Sequence, residues 1–313
     1  MMSVFILGSY AKALVMTTDR IPLAGETLIG RDFRQTWGGK GSDMAVQAAR
    51  LGADVAYAGV VGDDAFGYEF VGLMQDEGID IQALSITQEL PTGAGLIVKD
   101  REARNIIVVD MGANKLFTPS RVDEAIASLA ECNVALAQLE IPLETALYGL
   151  RRAHSLGKTT ILNPAPAQDL RQLDLSAIDY LTPNETEARV ALGLPPDDPR
   201  SNREIADLLL DTGCRYVVMT LGDAGSAVYS RDETLEVAPC RVEVVDSNGA
   251  GDSFNAALAT ALDENQSLHD AVLFANATAA LCCTAWETVP SYHTRADVEA
   301  FLQTQATTEE HAR

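Results

Sequence analysis

Apolar residues recur along the chain in two rhythms. Residues 3–8 are apolar at almost every position, as expected of a parallel strand buried on both faces. Short apolar runs at 55–61, 134–138, 159–162, 179–182 and 215–220 read as further strands. Between and after them the pattern lengthens to helical spacing over 66–77, 119–131, 143–156, 185–192, 202–212, 251–263 and 268–283. From about residue 118 onward the beat is strictly helix and strand. Such alternation predicts right-handed βαβ units and an α/β domain with a mostly parallel sheet covered on both faces. Ligands then bind beyond the carboxyl ends of the strands.

Two segments keep a different rhythm. Residues 27–37 alternate and carry charge, which predicts a half-exposed antiparallel ribbon. Residues 92–98 and 105–109, joined by Lys99-Asp100-Arg101-Glu102, predict a hairpin and with the ribbon a small lid sheet. The polar end, Gln303–Arg313, is expected to fray.

The most informative stretch is Val244-Val245-Asp246-Ser247-Asn248-Gly249-Ala250-Gly251-Asp252-Ser253-Phe254. A β-branched run ends at Asp246, a turn of small residues follows, and Asp252 opens a helical pattern. Glycines at 249 and 251 let backbone N–H groups approach a ligand closely, and a helix N-terminus favours an anion. A carboxylate in that nest can take a proton from a hydroxyl while the nest holds the charge of a transferring phosphoryl group. The plain alternative is a strand–turn–helix joint with Asp252 as a first-turn acid. A second glycine-rich helix entrance, Trp37-Gly38-Gly39-Lys40-Gly41-Ser42-Asp43, shifts the balance towards a cleft with a polyanion on one side and a polyol on the other.

Composition narrows the class. A length of 313 with 47% hydrophobic residues gives ample core for one large α/β domain or two small ones. The net charge of −22 argues against nucleic acid and anionic membrane surfaces, but not against ATP, for which a local nest and one or two cations suffice. The five cysteines form no CxxC, and the N-terminus lacks a basic leader, so a cytoplasmic protein is expected. Gly157-Lys158-Thr159 is not a P-loop, because Arg152 stands where the first glycine belongs and the motif precedes its strand. There is no GxSxG elbow, and the four histidines lack metal spacing.

Gly38 to Asp43, with Gly59 to Gly67 behind it, resembles the first signature of the ribokinase-like (PfkB) carbohydrate kinases, and Asp246 to Phe254 resembles the second. Gln138-Leu139-Glu140, Asn163-Pro164-Ala165-Pro166, Thr182 to Ala188 and Thr220 to Gly225 lie between them in the family's order. The resemblance covers essentially the whole chain. It implies one domain, 1–313, a three-layer α/β sandwich with lid strands inserted at about 12–37 and 90–112. It also implies ATP-dependent phosphorylation of ribose or a related sugar, with Mg²⁺ and K⁺ as cofactors and a homodimer formed through the lid.

By that resemblance Asp252 is the general base, and Gly249, Ala250 and Gly251 form the anion hole. Phosphoryl transfer has a loose, charge-spread transition state, so an ordinary aspartate pKa held low by the helix end is expected to serve. Asn184 and Glu187 match the motif that organises Mg²⁺, although they also fit a capping box. Thr220, Gly222 and Gly225 match the nucleotide loop, Asn276 an adenine neighbour, and Asp246 a K⁺ ligand. Trp286-Glu287 stands where a lysine–glycine pair is common, which points to an altered cation preference or none.

On the sugar side Gly39, Lys40 and Glu140 match the family, but three positions depart. The Asn-x-Asp that grips vicinal hydroxyls is replaced by Ala11 and Ala13, and the asparagine closing the first signature is Asp43. Losing a charge-assisted carboxylate–hydroxyl pair forfeits about 1.5–3 kcal/mol, unless Asp43 supplies the carboxylate from the opposite wall. The open alternatives are a ketohexose, deoxyribose or nucleoside acceptor, a catalytically silent sugar-binding regulator, and a dinucleotide-dependent oxidoreductase. Lys12 is expected to point away from the Ala11/Ala13 face into solvent.

Overall fold

The structure, a computed structural model, describes residues 3–102 and 104–311. In chain order the strands are β1 (Val4–Leu7), β2 (Ala11–Thr17), β3 (Arg31–Thr36), β4 (Val55–Gly62), β5 (Asp80–Thr87), β6 (Gly93–Lys99) and β7 (Asn105–Asp110). They continue with β8 (Val134–Ala137), β9 (Thr159–Leu162), β10 (Tyr180–Leu181), β11 (Tyr216–Thr220), β12 (Ser226–Tyr229) and β13 (Thr234–Val237). The helices are α1 (Lys40–Arg50), α2 (Ala65–Asp76), α3 (Pro119–Glu124), α4 (Ile126–Glu131) and α5 (Leu143–Ser155). After them come α6 (Glu185–Ala191), α7 (Asn202–Leu210), α8 (Ala250–Asp263), α9 (Leu268–Cys282) and α10 (Arg295–His311).

The body is a nine-stranded sheet in the order β13-β12-β11-β10-β9-β8-β1-β4-β5, parallel from β11 to β5. Its centre obeys the rule for doubly covered strands. Along β1, Val4 and Ile6 enter one core with α1, α8 and α9, while Phe5 and Leu7 enter another with α3, α5 and α7. Strand β8 repeats this alternation with Val134 and Leu136 against Ala135 and Ala137. Each large apolar side chain so buried contributes about 1.5–3 kcal/mol.

The lid is a separate four-stranded sheet, β3-β2-β6-β7, which confirms the hairpin and a common sheet with the ribbon, although β2 stands between them and pairs with both. Its register places Ala11, Ala13, Val15, Ile97, Ile107 and Val109 on one face, over the body. Leu14, Leu96, Val98, Ile106 and Val108 form the other face, which points outward, with Val108 62% exposed.

Several expectations need correction. The strict alternation is broken by β12 and β13, an antiparallel hairpin that closes one sheet edge. Edge strand β5 carries Gln82 and Ser85, which hid it from a search for apolar runs. The helix expected at 119–131 divides at Ala125, whose N–H contacts both the Arg121 and Val122 carbonyls and tightens the turn. Val244 and Val245 form no strand: the Val245 N–H donates to the Cys283 carbonyl at 2.8 Å, and both side chains are exposed. The end expected to fray from Gln303 continues as α10 to His311, and residues 312–313 lie outside the described residues. Among the described residues no helix is long and apolar enough to cross a membrane.

Candidate active site

The first turn of α8 forms part of the wall between two cavities. The larger, about 800 Å³, is lined by Ser247, Ala250 and Gly251 together with Thr220, Gly222, Gly225, Asn184 and Asn276. The smaller, about 320 Å³, is lined by Asn248, Gly249 and Asp252 together with Gly39, Lys40, Asp43 and Glu140. Successive residues of one turn therefore serve opposite sides. Gly249 caps the helix in the left-handed region (φ 78°), and a Cβ there would lie 2.8 Å from the Tyr292 hydroxyl oxygen. A Cβ on Gly251 would meet no protein atom within 4 Å, so the space beside it is open to a ligand. First-turn N–H groups lack intrahelical acceptors, and no side chain caps this end. Such a helix start favours an anion.

The acceptor cavity concentrates charge at its floor. Asp252, 6% exposed, has Lys40 Nζ 3.4 Å from Oδ1. Burial pushes the Asp252 carboxyl up to about 6, with Lys40 opposing the shift. This corrects the expectation of an ordinary, low value: desolvation, joined by the Glu140 and Glu187 carboxylates, outweighs the ammonium. The Asp252 carboxylate in turn holds the Lys40 ammonium above the usual lysine range despite its burial. Glu140 anchors the same floor, with Oε2 accepting from the Lys40 backbone N–H (2.7 Å) and the Ser9 hydroxyl (2.6 Å). Gly39 starts α1 with φ 94°, and a Cβ there would strike the Ala11 nitrogen at 2.8 Å, so lid strand β2 can pack against this turn.

Asp43 is almost wholly buried and accepts from the Thr288 hydroxyl at 3.1 Å. Burial, then the Asp252 and Glu140 carboxylates, raise its pKa well above the carboxylate range. In its acid form such a carboxyl offers an O–H and a carbonyl oxygen, much as an asparagine offers a donor and an acceptor.

On the nucleotide side, a single parallel bridge between Asn184 and Thr220 sets the start of α6 beside the end of β11. Asn184 and Glu187 form a complete capping box: the Glu187 N–H donates to Asn184 Oδ1 (2.8 Å) and the Asn184 N–H to Glu187 Oε2 (2.9 Å). Burial raises the Glu187 pKa, with the Asn184 N–H and Lys40 opposing. The Lys40 charge thus reaches Glu187. Asn276 lines the nucleotide cavity, but its amide donates to the Val237 and Ala238 carbonyls and accepts from Ser226, so it shapes the wall.

Asp246 lies behind the nest. Its Oδ1 accepts from the Asn248 N–H (3.1 Å), and Lys99 Nζ of lid strand β6 stands 3.9 Å from Oδ2. Lys99, Asn105, Asn248 and Thr288 escaped the reading of the sequence. Lys99 and Asn105 flank the hairpin turn, where charge reads as solvent-facing. Lys12 reverses its expectation. It does point away from the Ala11/Ala13 face, but it is buried, ion-paired with Glu69 and set near the rings of Trp37 and Phe66.

A polyol-sized cavity and a nucleotide-sized cavity that share one anion-binding helix end call for comparison with known kinases. The model of the pfkB family carbohydrate kinases matches residues 1–295. The chain belongs to this family. It is 35% identical to the ribokinase of Haemophilus influenzae over 298 residues, 95% of this chain and 97% of that one. It is 34% identical to the deoxyribokinase of Salmonella typhi, with 88% and 91% covered. The Arabidopsis thaliana ribokinase complexed with ribose and ATP superposes with a TM-score of 0.88 at 27% identity, covering 96% of this chain and 99% of that one. This pfkB-family chain is an ATP-dependent carbohydrate kinase with the ribokinase fold.

Proposed function

We propose that the protein transfers the γ-phosphoryl group of ATP to a hydroxyl of ribose or a closely related pentose. The observation that carries this reading is the α8 first turn, with Asp252 on the acceptor side and Ala250 and Gly251 on the nucleotide side. In the ionised form Asp252 accepts the proton of the attacking hydroxyl. Lys40, held as an ammonium, neutralises charge between Asp252 and the phosphoryl oxygens, and the N–H groups at 249–251 receive the charge that spreads over those oxygens. Thr220, Gly222 and Gly225 hold the nucleotide, while Asn276 positions its wall.

Asn184 and Glu187 fit a magnesium ion. Asn184 lines the nucleotide cavity and Glu187 is joined to it through the capping box, so two oxygen-bearing side chains stand together there, and among the described residues no cluster of three acidic, His or Cys side chains forms a closed metal cage. A magnesium ion held through waters and phosphates suits that sparse donor set and, when bound, neutralises phosphate charge. The lid's outward face, Leu96, Val98, Ile106 and Val108, is an apolar surface that a second copy of the chain would cover, which favours a homodimer. A cytoplasmic location fits the need for ATP.

A specific observation favours 2-deoxyribose as a second acceptor. The lid wall is largely apolar, through Ala11, Ala13, Val15, Ile97, Ile107 and Val109. It rewards an acceptor with fewer hydroxyls on that side, and deoxyribokinases are among the relatives of the chain. ADP release over ribose, 2-deoxyribose, fructose and nucleosides tests the reading. Turnover of a pentose that disappears in Asp252→Asn supports it. ADP release with none of these acceptors would overturn it in favour of a sugar-binding regulator.

A further inference from the structure

The carboxylate of Asp246, 10% exposed, accepts three hydrogen bonds from its own loop and its neighbour. Oδ1 accepts from the Asn248 N–H at 3.1 Å, and Oδ2 accepts from the Asn248 amide and the Glu287 N–H, each at 3.3 Å. The charge opposite it belongs to Lys99, whose Nζ is 3.9 Å from Oδ2 and 5.3 Å from the centre of the Trp286 ring. For a lysine at the end of a lid strand Lys99 is unusually enclosed, at 19% exposure. A second lid cation closes the same loop: Arg34 of β3 pairs with Glu287 at 3.1 Å, and Glu287 itself holds a left-handed φ of 72°. A potassium ion coordinated by Asp246, as implied by the family, does not fit this arrangement. It would compete with those donors and stand beside the like charge of Lys99 in a largely enclosed place.

We infer that Lys99 is the resident cation of the Asp246 loop, a positioning residue that orders the anion hole from the lid. Asp246 fixes Asn248 through its N–H, and Asn248 leads directly into Gly249 and the nest. Lys99 holds Asp246 while its own strand roofs the acceptor cavity. The order of the nest is thereby tied to the closed lid, and a free monovalent ion is unnecessary. This inference rests on the phosphotransferase reading of the nest.

The test compares the full chain with Lys99→Met and Lys99→Arg in potassium, sodium and tetramethylammonium chloride at equal ionic strength. Thermal unfolding is followed without nucleotide or acceptor, and turnover is followed separately. The wild-type protein should show no ion-specific shift of its unfolding midpoint and no ion-specific turnover. Lys99→Met should lose about tenfold in kcat, a size usual for coupled sites, and regain much of it with potassium but not with tetramethylammonium. That variant should also acquire a potassium-specific rise in its midpoint. Lys99→Arg should stay independent of the ion.

A potassium-specific midpoint or turnover in the wild type would overturn the inference. So would a Lys99→Met protein that keeps full turnover, or one that loses turnover without rescue by any cation. If Lys99→Met fails to fold, the wild-type and Lys99→Arg arms still decide. The unfolding arm needs no acceptor, so a failure of the kinase reading leaves it interpretable.

Discussion

The two walls of the acceptor cavity are built on opposite principles. The body wall is polar and ionic: Lys40, Asp43, Glu140 and Asp252 converge from helix entrances and a loop beyond the sheet. The lid wall is mostly aliphatic, with charge confined to Lys99 near its rim. The body wall rests on parallel strands buried on both faces, whereas β7 has every residue exposed in the single chain. Chemistry that needs fixed geometry sits on the rigid wall. Choice of acceptor, and the proposed contact with a second copy, fall to the wall that can change without unfolding the core.

The comparison can be broken first on the body side. Gly249→Ala forces a Cβ into a left-handed position against Tyr292 and Thr288. Loss of nest geometry should cost on the order of 10²–10³ in kcat. The backbone strain should lower stability by about 1–3 kcal/mol, read by denaturant unfolding. An equal loss from Gly251→Ala, where no protein atom is met, would show that the ligand and not the fold demands small residues there.

Restoring polarity to the lid wall should have a smaller effect. Ala11→Asn combined with Ala13→Asp gives the cavity the pair it lacks, and should raise the kcat/KM ratio of ribose over 2-deoxyribose by roughly tenfold to a hundredfold. An unchanged ratio would mean that the lid does not contact the acceptor. The smallest chemical effect is expected from Val108→Glu on the outward lid face. It should convert a dimer to a monomer in sedimentation velocity while leaving kcat within about threefold, as for a surface charge away from the reacting atoms.

How much could be read from the sequence follows the same division. The body was legible because β1 and β8 are unbroken apolar runs and because two glycine-rich helix entrances carry Lys40 and Asp252. Edge elements were less so. Strand β5 mixes polar residues, and the β12–β13 hairpin interrupts a rhythm that pattern reading extends too far. Many of the residues that line the two cavities stand in readable motifs, but their electrostatics do not show in the sequence. The shifts at Asp252 and Asp43 arise from burial and from Glu140, nearly a hundred residues from Asp43 in sequence, which no local pattern records. Lys99 and Lys12 were hidden for a related reason, because a lysine in a strand gives no sign of whether a ring and a carboxylate await it.

The central claim is that a buried Asp252, paired with Lys40, is the base of a shared helix end. The most direct test is kcat/KM for the preferred pentose against pH. Protonated Asp252 cannot accept the hydroxyl proton, so activity should rise with pH through a midpoint of about 6 and level off above it. Lys40→Met removes the ammonium that holds the carboxyl down, so it should move that midpoint upward as well as lower the plateau. A profile flat from pH 5 to 7, or a midpoint that Lys40→Met leaves in place, would contradict the account.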